Sequence, residues 1–126
     1  MRKVNYCGRV YSVGSVGEEI VLKELLDRGI EFEQEKTFSD LVGDSGFPLR
    51  FDFYVRGKRR DFIIEVDGTQ HRKKKYYSSD KLKRYDKKKD DYCRLNNIKL
   101  YRLIYISSGF ARYLHRGMKR IFEEEF

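Results

Sequence analysis

Three carboxylates stand in two neighbouring segments whose composition predicts β-strands. Asp52 lies in the middle of one segment, and Glu65 and Asp67 lie in the next. Aspartate is disfavoured inside strands, so these positions ask for a chemical reason. Pairing across the Gly57-Lys58 turn can place all three on one face. Crowded carboxylates repel one another, and a hard divalent cation such as Mg²⁺ relieves the repulsion. Such a site could activate water for phosphodiester hydrolysis.

An exposed salt-bridged surface is the alternative for the same carboxylates. Four arginines lie close by in sequence, namely Arg50, Arg56, Arg59 and Arg60. Carboxylate clusters with perturbed titration occur in both kinds of site, so spacing alone does not separate the two. His71, taken by itself, is more typical of an ordinary polar loop than of a catalytic site.

The hydrophobic pattern predicts the element order αβββαβα. Apolar residues recur with helical spacing in residues 17–29, 79–97 and 109–124, and alternation or β-forming residues mark residues 31–38, 49–56, 61–67 and 98–106. The last of these segments, residues 98–106, is predicted to be a buried strand. Ser15 is the expected N-cap of the first helix, and residues 39–48 form the expected loop. In the second strand, Phe51, Phe53 and Val55 are expected on one face.

Glu18 falls on the apolar stripe of the first predicted helix, with Val21, Leu22 and Leu25. A carboxylate that faces inward needs a partner, either a cationic side chain or a metal. Glu18 is therefore a further candidate for the site of Asp52 and Glu65.

Basic residues are concentrated directly after His71. The chain has 28 Lys and Arg against 20 Asp and Glu, a formal net charge of +8. A basic stripe with interleaved tyrosines suits a phosphate backbone, although a solvated helix face has the same composition. The stripe consists of Arg72, Lys73, Lys74, Lys75, Lys81, Lys83, Arg84, Lys87, Lys88 and Lys89.

Length and composition predict one domain over residues 1–126. No apolar run approaches the roughly 20 residues that span a bilayer, and no secretory signal opens the chain. We therefore expect an intracellular, cytoplasmic protein without a membrane partner. In that compartment Cys7 and Cys93 are expected to be free thiols.

Four separated motifs resemble the PD-(D/E)XK nuclease superfamily, close to the very-short-patch repair endonuclease and to phage homing endonucleases of that fold. Residues 49–54 read LRFDFY and residues 64–71 read IEVDGTQH. A helix with D-x-x-K-x-x-Y-C at Asp86, Lys89, Tyr92 and Cys93 follows, and then a strand with Arg102. The resemblance covers about residues 15–106.

The resemblance implies a restriction-endonuclease-like α/β fold, with a core of order αβββαβ, a mixed central sheet flanked by helices and an added C-terminal helix. It makes Asp52 and Glu65 ligands of Mg²⁺, for which Mn²⁺ would substitute, with Glu18 in support. Asp67 stands where most members carry lysine. The expected chemistry therefore moves to His71 as general base, with Gln70 and Asp86 completing the polar wall.

The expected function is metal-dependent hydrolysis of DNA phosphodiester bonds in a bacterial or phage-infected cell. One alternative is a DNA-binding module that keeps the fold but not the catalysis, since the motif lysine is missing. Another is a nuclease subunit of a larger recombination or repair complex. A homodimer is also compatible, because cutting two strands usually needs two active sites.

Overall fold

A computed structural model describes residues 1–68, 79–105 and 110–126. Within them the chain is mixed α/β, as predicted. The elements are β1 (Arg2–Tyr6), β2 (Arg9–Val13), α1 (Val16–Asp27), β3 (Phe32–Val42), β4 (Pro48–Arg56), β5 (Asp61–Gly68), α2 (Ser79–Leu95), β6 (Lys99–Tyr105) and α3 (Phe110–Glu125).

The central sheet has four strands in the order β3-β4-β5-β6. Strand β4 is antiparallel to both β3 and β5, and β6 is parallel to β5, so the sheet is mixed, as expected. Parallel neighbours need a crossover connection, and α2 lies in the segment that joins β5 to β6.

Two hydrophobic clusters cover the sheet. The larger one joins α1 and α3 to residues such as Phe53, Phe62 and Ile64. The smaller one contains Cys93 of α2 together with Phe51 and Ile63. Because β5 contributes Phe62 and Ile64 to the first cluster and Ile63 to the second, it follows the period of two that the sequence predicts.

Strand β4 breaks that alternation at Asp52. The prediction placed Phe51 and Phe53 on one face, but Phe53 packs in the larger cluster and Phe51 packs in the smaller one. On β3 the residue flanked by the pairs Gln34↔Phe53 and Lys36↔Phe51 is Glu35, which has a φ of 52°. A positive φ at glutamate is uncommon and reorients the strand locally. Both strands are therefore irregular beside Asp52.

An N-terminal hairpin, absent from the predicted elements, precedes α1. Strands β1 and β2 pair from Arg2↔Val13 to Tyr6↔Arg9, and Cys7 and Gly8 form the turn with φ values of 46° and 83°. Positive φ at both central residues is typical of a two-residue hairpin turn. The hairpin buries Val4 and Val13 against the larger cluster.

Two turns differ from their predicted bounds. Strand β3 continues to Val42, so the loop before β4 is shorter than residues 39–48. The β4–β5 turn occupies residues 57–60 rather than Gly57-Lys58 alone, because Arg56 pairs with Asp61. A Cβ at Gly57 would lie 2.2 Å from the carbonyl oxygen of Arg60, which explains the glycine there.

Strand β6 was predicted to be buried, but it is largely not. Leu103 is buried, whereas Ile104 is 43% exposed. The reason is its place at the edge of the sheet, with β5 as its partner.

The ends of the helices follow local sequence signals. Ser15 caps α1 by accepting a hydrogen bond from the N–H of Glu18 at 3.1 Å, as predicted. Asn97, just after α2, has a φ of 59°, the left-handed conformation that asparagine tolerates. None of the described helices is long and apolar enough to cross a membrane.

Glu125, at the end of α3, is buried although it is charged. Its carboxylate accepts hydrogen bonds from Nε and Nη2 of Arg60 at 3.0 and 2.9 Å, and the hydroxyl of Tyr101 lies at 2.6 Å. These partners lower the pKa of Glu125, with Arg60 making the largest contribution. The contact fastens the C-terminal helix to the β4–β5 turn and to β6.

We expect Glu125→Gln to lower the free energy of unfolding by about 1–3 kcal/mol, because a buried bidentate pair is lost while Arg60 stays half exposed. The pKa of Glu125 is lower in the folded protein than in the unfolded chain. Its stabilisation is therefore present above the unfolded value and is lost as the pH falls through the folded one. Urea denaturation near neutral and at acidic pH measures both effects, with exposed Glu123→Gln as the control. Equal stabilities of the two variants at neutral pH would contradict the assignment.

Candidate active site

The candidate site lies where β4 and β5 stop pairing. Their ladder runs from Arg56↔Asp61 to Phe53↔Ile64. At the next residue, the carboxylate of Asp52 accepts a hydrogen bond from the backbone N–H of Val66 at 2.8 Å. A cleft of about 300 Å³ opens there, and it is lined by Glu18, Arg50, Asp52, Glu65, Val66, Asp67, Gly68, Leu82, Asp86 and Lys89.

Asp52 is a strongly perturbed carboxyl group in this cleft. Its removal from water raises its pKa well above the usual range, and the charges of Glu65 and Glu18 raise it further. The hydrogen bond from Val66 opposes these effects but does not outweigh them. Burial and the two neighbouring carboxylates therefore disfavour the ionised form of Asp52, and a bound cation would favour it.

Glu18 reaches this cleft from α1, as the sequence predicted. Its Oε2 also accepts a hydrogen bond from the N–H of Gly14 at 3.1 Å, just before the N-cap Ser15. This reciprocal arrangement resembles a capping box and holds the side chain at the start of the helix. One carboxylate therefore stabilises α1 and lies near Asp52.

Lys89 occupies the cleft from the side of α2. Its Nζ lies 2.6 Å from Oε1 of Glu65, and the two side chains are 15% and 5% exposed. The ammonium group also lies 5.1 Å from the centre of the Phe51 ring. The sequence assigned Lys89 to the DNA-binding stripe, but in the structure it is the counter-ion of a buried carboxylate.

Arg102, on β6, forms ion pairs with two acidic residues of the cleft, Asp67 and Asp86. Its guanidinium lies 3.6 Å from Asp67, 3.2 Å from Asp86 and 2.9 Å from Asp90. In the parallel register Arg102 stands next to Glu65. Asp67 and Asp86 line the cleft, as the sequence predicted, and both of them are ion-paired to Arg102.

The basic residues of α2 divide by position. The side chains of Lys81, Lys83, Arg84 and Lys87 are exposed. Of these, Arg84 pairs with Asp44 and Lys87 lies 3.0 Å from Asp91. The β3–β4 loop also docks on the helix, since the hydroxyl of Tyr85 accepts a hydrogen bond from the N–H of Asp44 at 2.8 Å.

Several predicted residues lie outside the described ranges. These are Gln70, His71, Arg72, Lys73, Lys74 and Lys75. Of the remaining predictions, Cys7 and Cys93 are free thiols, as expected. Burial raises the pKa of the Cys93 thiol to about 11, which suits a core residue and not a nucleophile. His115 is a surface residue that pairs with Glu24 at 2.6 Å.

The donor set fits a hard divalent ion that is held by few protein ligands. Within residues 1–68, 79–105 and 110–126, no three His, Cys, Asp or Glu side chains converge as a preformed metal centre. Mg²⁺ commonly binds one or two carboxylates and keeps water or substrate phosphates as its other ligands. Asp52 and Glu65 supply two such carboxylates on adjoining strands.

Three contributions to the site were missed by sequence reasoning. Arg50 lines the cleft, Arg102 pairs with its acids, and Lys89 neutralises Glu65. A signal existed for Arg50, which is two residues from Asp52 and so near it on the same strand. The Lys89 and Arg102 contacts depend on how α2 and β6 pack, and local sequence does not encode that. No protein-family model, curated protein or solved structure matches the chain.

We expect Asp52→Asn to stabilise the metal-free protein at mildly alkaline pH. The folded pKa of Asp52 is raised, so the wild type loses stability as the pH rises through that value, whereas asparagine does not ionise. Thermal unfolding in EDTA should give the variant a Tm advantage that grows as the pH rises from the unfolded pKa of Asp52 toward its folded pKa. Asp91→Asn, at an exposed site, is the control. A Tm below that of the wild type at pH 8 would argue against a strained carboxyl group.

Lys89→Met should lower the free energy of unfolding by about 3 kcal/mol, because it leaves the Glu65 carboxylate buried without a cation. Adding Glu65→Gln should recover most of that loss. The control is Lys87→Met, at an exposed position of α2 that does not line the cleft. It should change the free energy of unfolding by less than about 0.5 kcal/mol. Urea denaturation of the wild type, Lys89→Met, Glu65→Gln and the double variant completes a double-mutant cycle, and additive effects would rule out a coupled pair.

Proposed function

We propose that the chain is a metal-dependent nuclease that hydrolyses DNA phosphodiester bonds at the cleft of Asp52 and Glu65. The observation that carries the proposal is the carboxyl pair itself. Glu65 is buried, the pKa of Asp52 is raised by its surroundings, and both line a solvent-accessible cleft. Such groups cluster at functional sites because a fold optimised for stability alone would not retain them.

Asp52 and Glu65 would hold Mg²⁺ or Mn²⁺, with Glu18 close enough to support the same ion through its field or through a water molecule. When bound, the ion would supply charge neutralisation at the phosphate and a more acidic water. The two carboxylates must be held in a fixed orientation to bind the ion. The Val66 N–H orients Asp52, and Lys89 orients Glu65.

Lys89 supports the nuclease proposal because it brings an ammonium group into the cleft although Asp67 stands at the usual lysine position. An ammonium has three donors, and the contact with Glu65 uses one. The others can orient a water molecule or a phosphate oxygen. His71 stays our proposed general base, since an imidazole can accept the proton of the attacking water near neutral pH.

Asp67 and Asp86 fit the role of a polar wall better than that of metal ligands. Both carboxylates are paired to Arg102, which is itself largely buried at 18% exposure. Arg102 thereby reduces the negative charge that a phosphate would meet in the cleft. Gln70 and His71 would extend this wall beyond Gly68.

The proposed DNA track is the basic stripe, of which Lys81, Lys83, Arg84 and Lys87 are exposed on α2. These side chains lie on the helix that also carries Asp86 and Lys89 into the cleft. A formal net charge of +8 favours nucleic-acid binding through the phosphate backbone. A homodimer or a larger nuclease complex would bring the second active site that double-strand cleavage requires.

The proposed fold relationship is to the restriction-endonuclease-like nucleases. Its support is the resemblance of the four motifs, together with a mixed sheet whose β4 and β5 carry the acidic residues. We further propose that residues 1–126 act as one nuclease domain in the cytoplasm of a bacterial or phage-infected cell.

A second candidate is a DNA-binding module without catalysis. The observation that favours it is the Lys89–Glu65 ion pair at 2.6 Å, because a buried ammonium already neutralises one of the two metal-binding carboxylates. This candidate predicts DNA binding without cleavage in either Mg²⁺ or Mn²⁺.

Cleavage of plasmid DNA tests the two candidates. In the nuclease, Asp52→Asn should slow cleavage by about a thousandfold or more, since a metal ion contributes several kcal/mol to catalysis. Asp91→Asn, which removes an exposed carboxylate from α2, should leave the rate unchanged. Equal rates for the Asp52→Asn variant and the wild type would refute the mechanism. DNA binding by a wild-type protein that cleaves in neither metal would favour the binding module.

A further inference from the structure

Arg50 differs from the other cation that lines the cleft. Lys89 is buried and committed to Glu65, whereas the Arg50 side chain is 66% exposed. Within the described residues its ion-pair partner is Glu35, whose Oε2 lies 3.6 Å from Nη1, a distance longer than a hydrogen bond. Arg50 therefore has a guanidinium at the cleft that no strong contact within the described residues holds.

Glu35 sits at the irregular point of β3. Its φ of 52° is one that glutamate adopts at a cost in free energy, and it flanks Asp52 in the β3–β4 register. Its own side chain is 52% exposed, so the pair with Arg50 is screened by water and weak. A ligand that binds Arg50 more strongly than Glu35 does would displace that carboxylate at little cost.

The charges of the cleft indicate what that ligand is. Among the described residues, its lining includes carboxylates from Glu18, Asp52, Glu65, Asp67 and Asp86 and the cations Arg50 and Lys89. A cleft so rich in acids repels a polyanion unless a cation meets it. Arg50 is the exposed one, and a planar guanidinium binds phosphate through two parallel hydrogen bonds.

We propose that Arg50 is a phosphate-binding residue that holds the nucleic-acid backbone beside the Asp52–Glu65 pair, and that Glu35 competes with the phosphate for it. Arg50 and Asp52 are two residues apart on β4, a spacing of about 6.6 Å along a strand. The bound phosphate is thus the reacting one or its neighbour along the strand. This inference rests on the proposed function, because it assumes a nucleic-acid substrate.

The test measures binding of a fluorescent DNA duplex, with Ca²⁺ in place of Mg²⁺ so that binding is separated from cleavage. Arg50→Ala should weaken binding by about ten- to a hundredfold and lower the salt dependence by about one phosphate contact. Arg50→Lys should keep the salt dependence but bind less tightly than the wild type, because the two-bond contact is lost. Arg59→Ala, an equal loss of charge in the turn of residues 57–60, is the control.

Glu35→Gln supplies a readout that a structural role would not give. Removing the competing carboxylate should tighten binding by about two- to fivefold in the wild type. In the Arg50→Ala background the gain should disappear, since the competitor then has nothing to release. Glu31→Gln, an exposed charge loss just before β3, is the matched control.

Three results would overturn the inference. If Arg50→Ala and Arg59→Ala bind alike while the wild type binds and cleaves DNA, Arg50 is not the phosphate contact and the nuclease proposal stands. If the Glu35→Gln gain persists without Arg50, Glu35 acts by general repulsion and not by competition. If the wild type neither binds nor cleaves DNA with any divalent ion, the proposed function fails and takes this inference with it.

Discussion

The hydrogen bond from the Val66 N–H to the Asp52 carboxylate stands at the point where β4 and β5 separate. A side chain here takes the place of a backbone acceptor, so the ladder ends without an orphaned donor. The separation opens the cleft between the strands. It also lets Glu18 approach from α1 and Lys89 from α2, although these helices pack on different clusters. The geometry of the candidate site follows from this one interruption.

Electrostatic balance is the second constraint. Five carboxylates line the cleft, which would be untenable if each were ionised without a partner. Cationic side chains offset the charge of three of these carboxylates: Glu65 pairs with Lys89, and Asp67 and Asp86 pair with Arg102. Among the described residues, Asp52 receives a backbone N–H from Val66, whereas burial and the charges of Glu65 and Glu18 raise its pKa. Unfavourable electrostatic interactions thus act on Asp52, the residue proposed to bind metal.

Much of the fold was predictable because its signals are local. The Ser15 cap, the alternation of β5 and the αL residue Asn97 each depend on a few neighbouring residues. Errors arose where long-range packing decides. The prediction that Phe51 shares a face with Phe53 was wrong because the irregularity beside Asp52 reorients the strand. Strand β6 is less buried than predicted because it forms an edge of the sheet.

For the site, the sequence by itself determined which acids were candidates, since Asp and Glu inside β-forming segments, or on an apolar helical stripe, are chemically conspicuous. It singled out Glu18, Asp52, Glu65 and Asp67, the family resemblance added Asp86, and all five line one cleft. Only the tertiary structure decided their partners. Lys89 lies 24 residues from Glu65 in the chain and was assigned to an exposed stripe, yet helix packing places its ammonium against that carboxylate. The reason is physical: residue type and period reveal what needs a partner, whereas the packing of helices on the sheet determines which partner arrives.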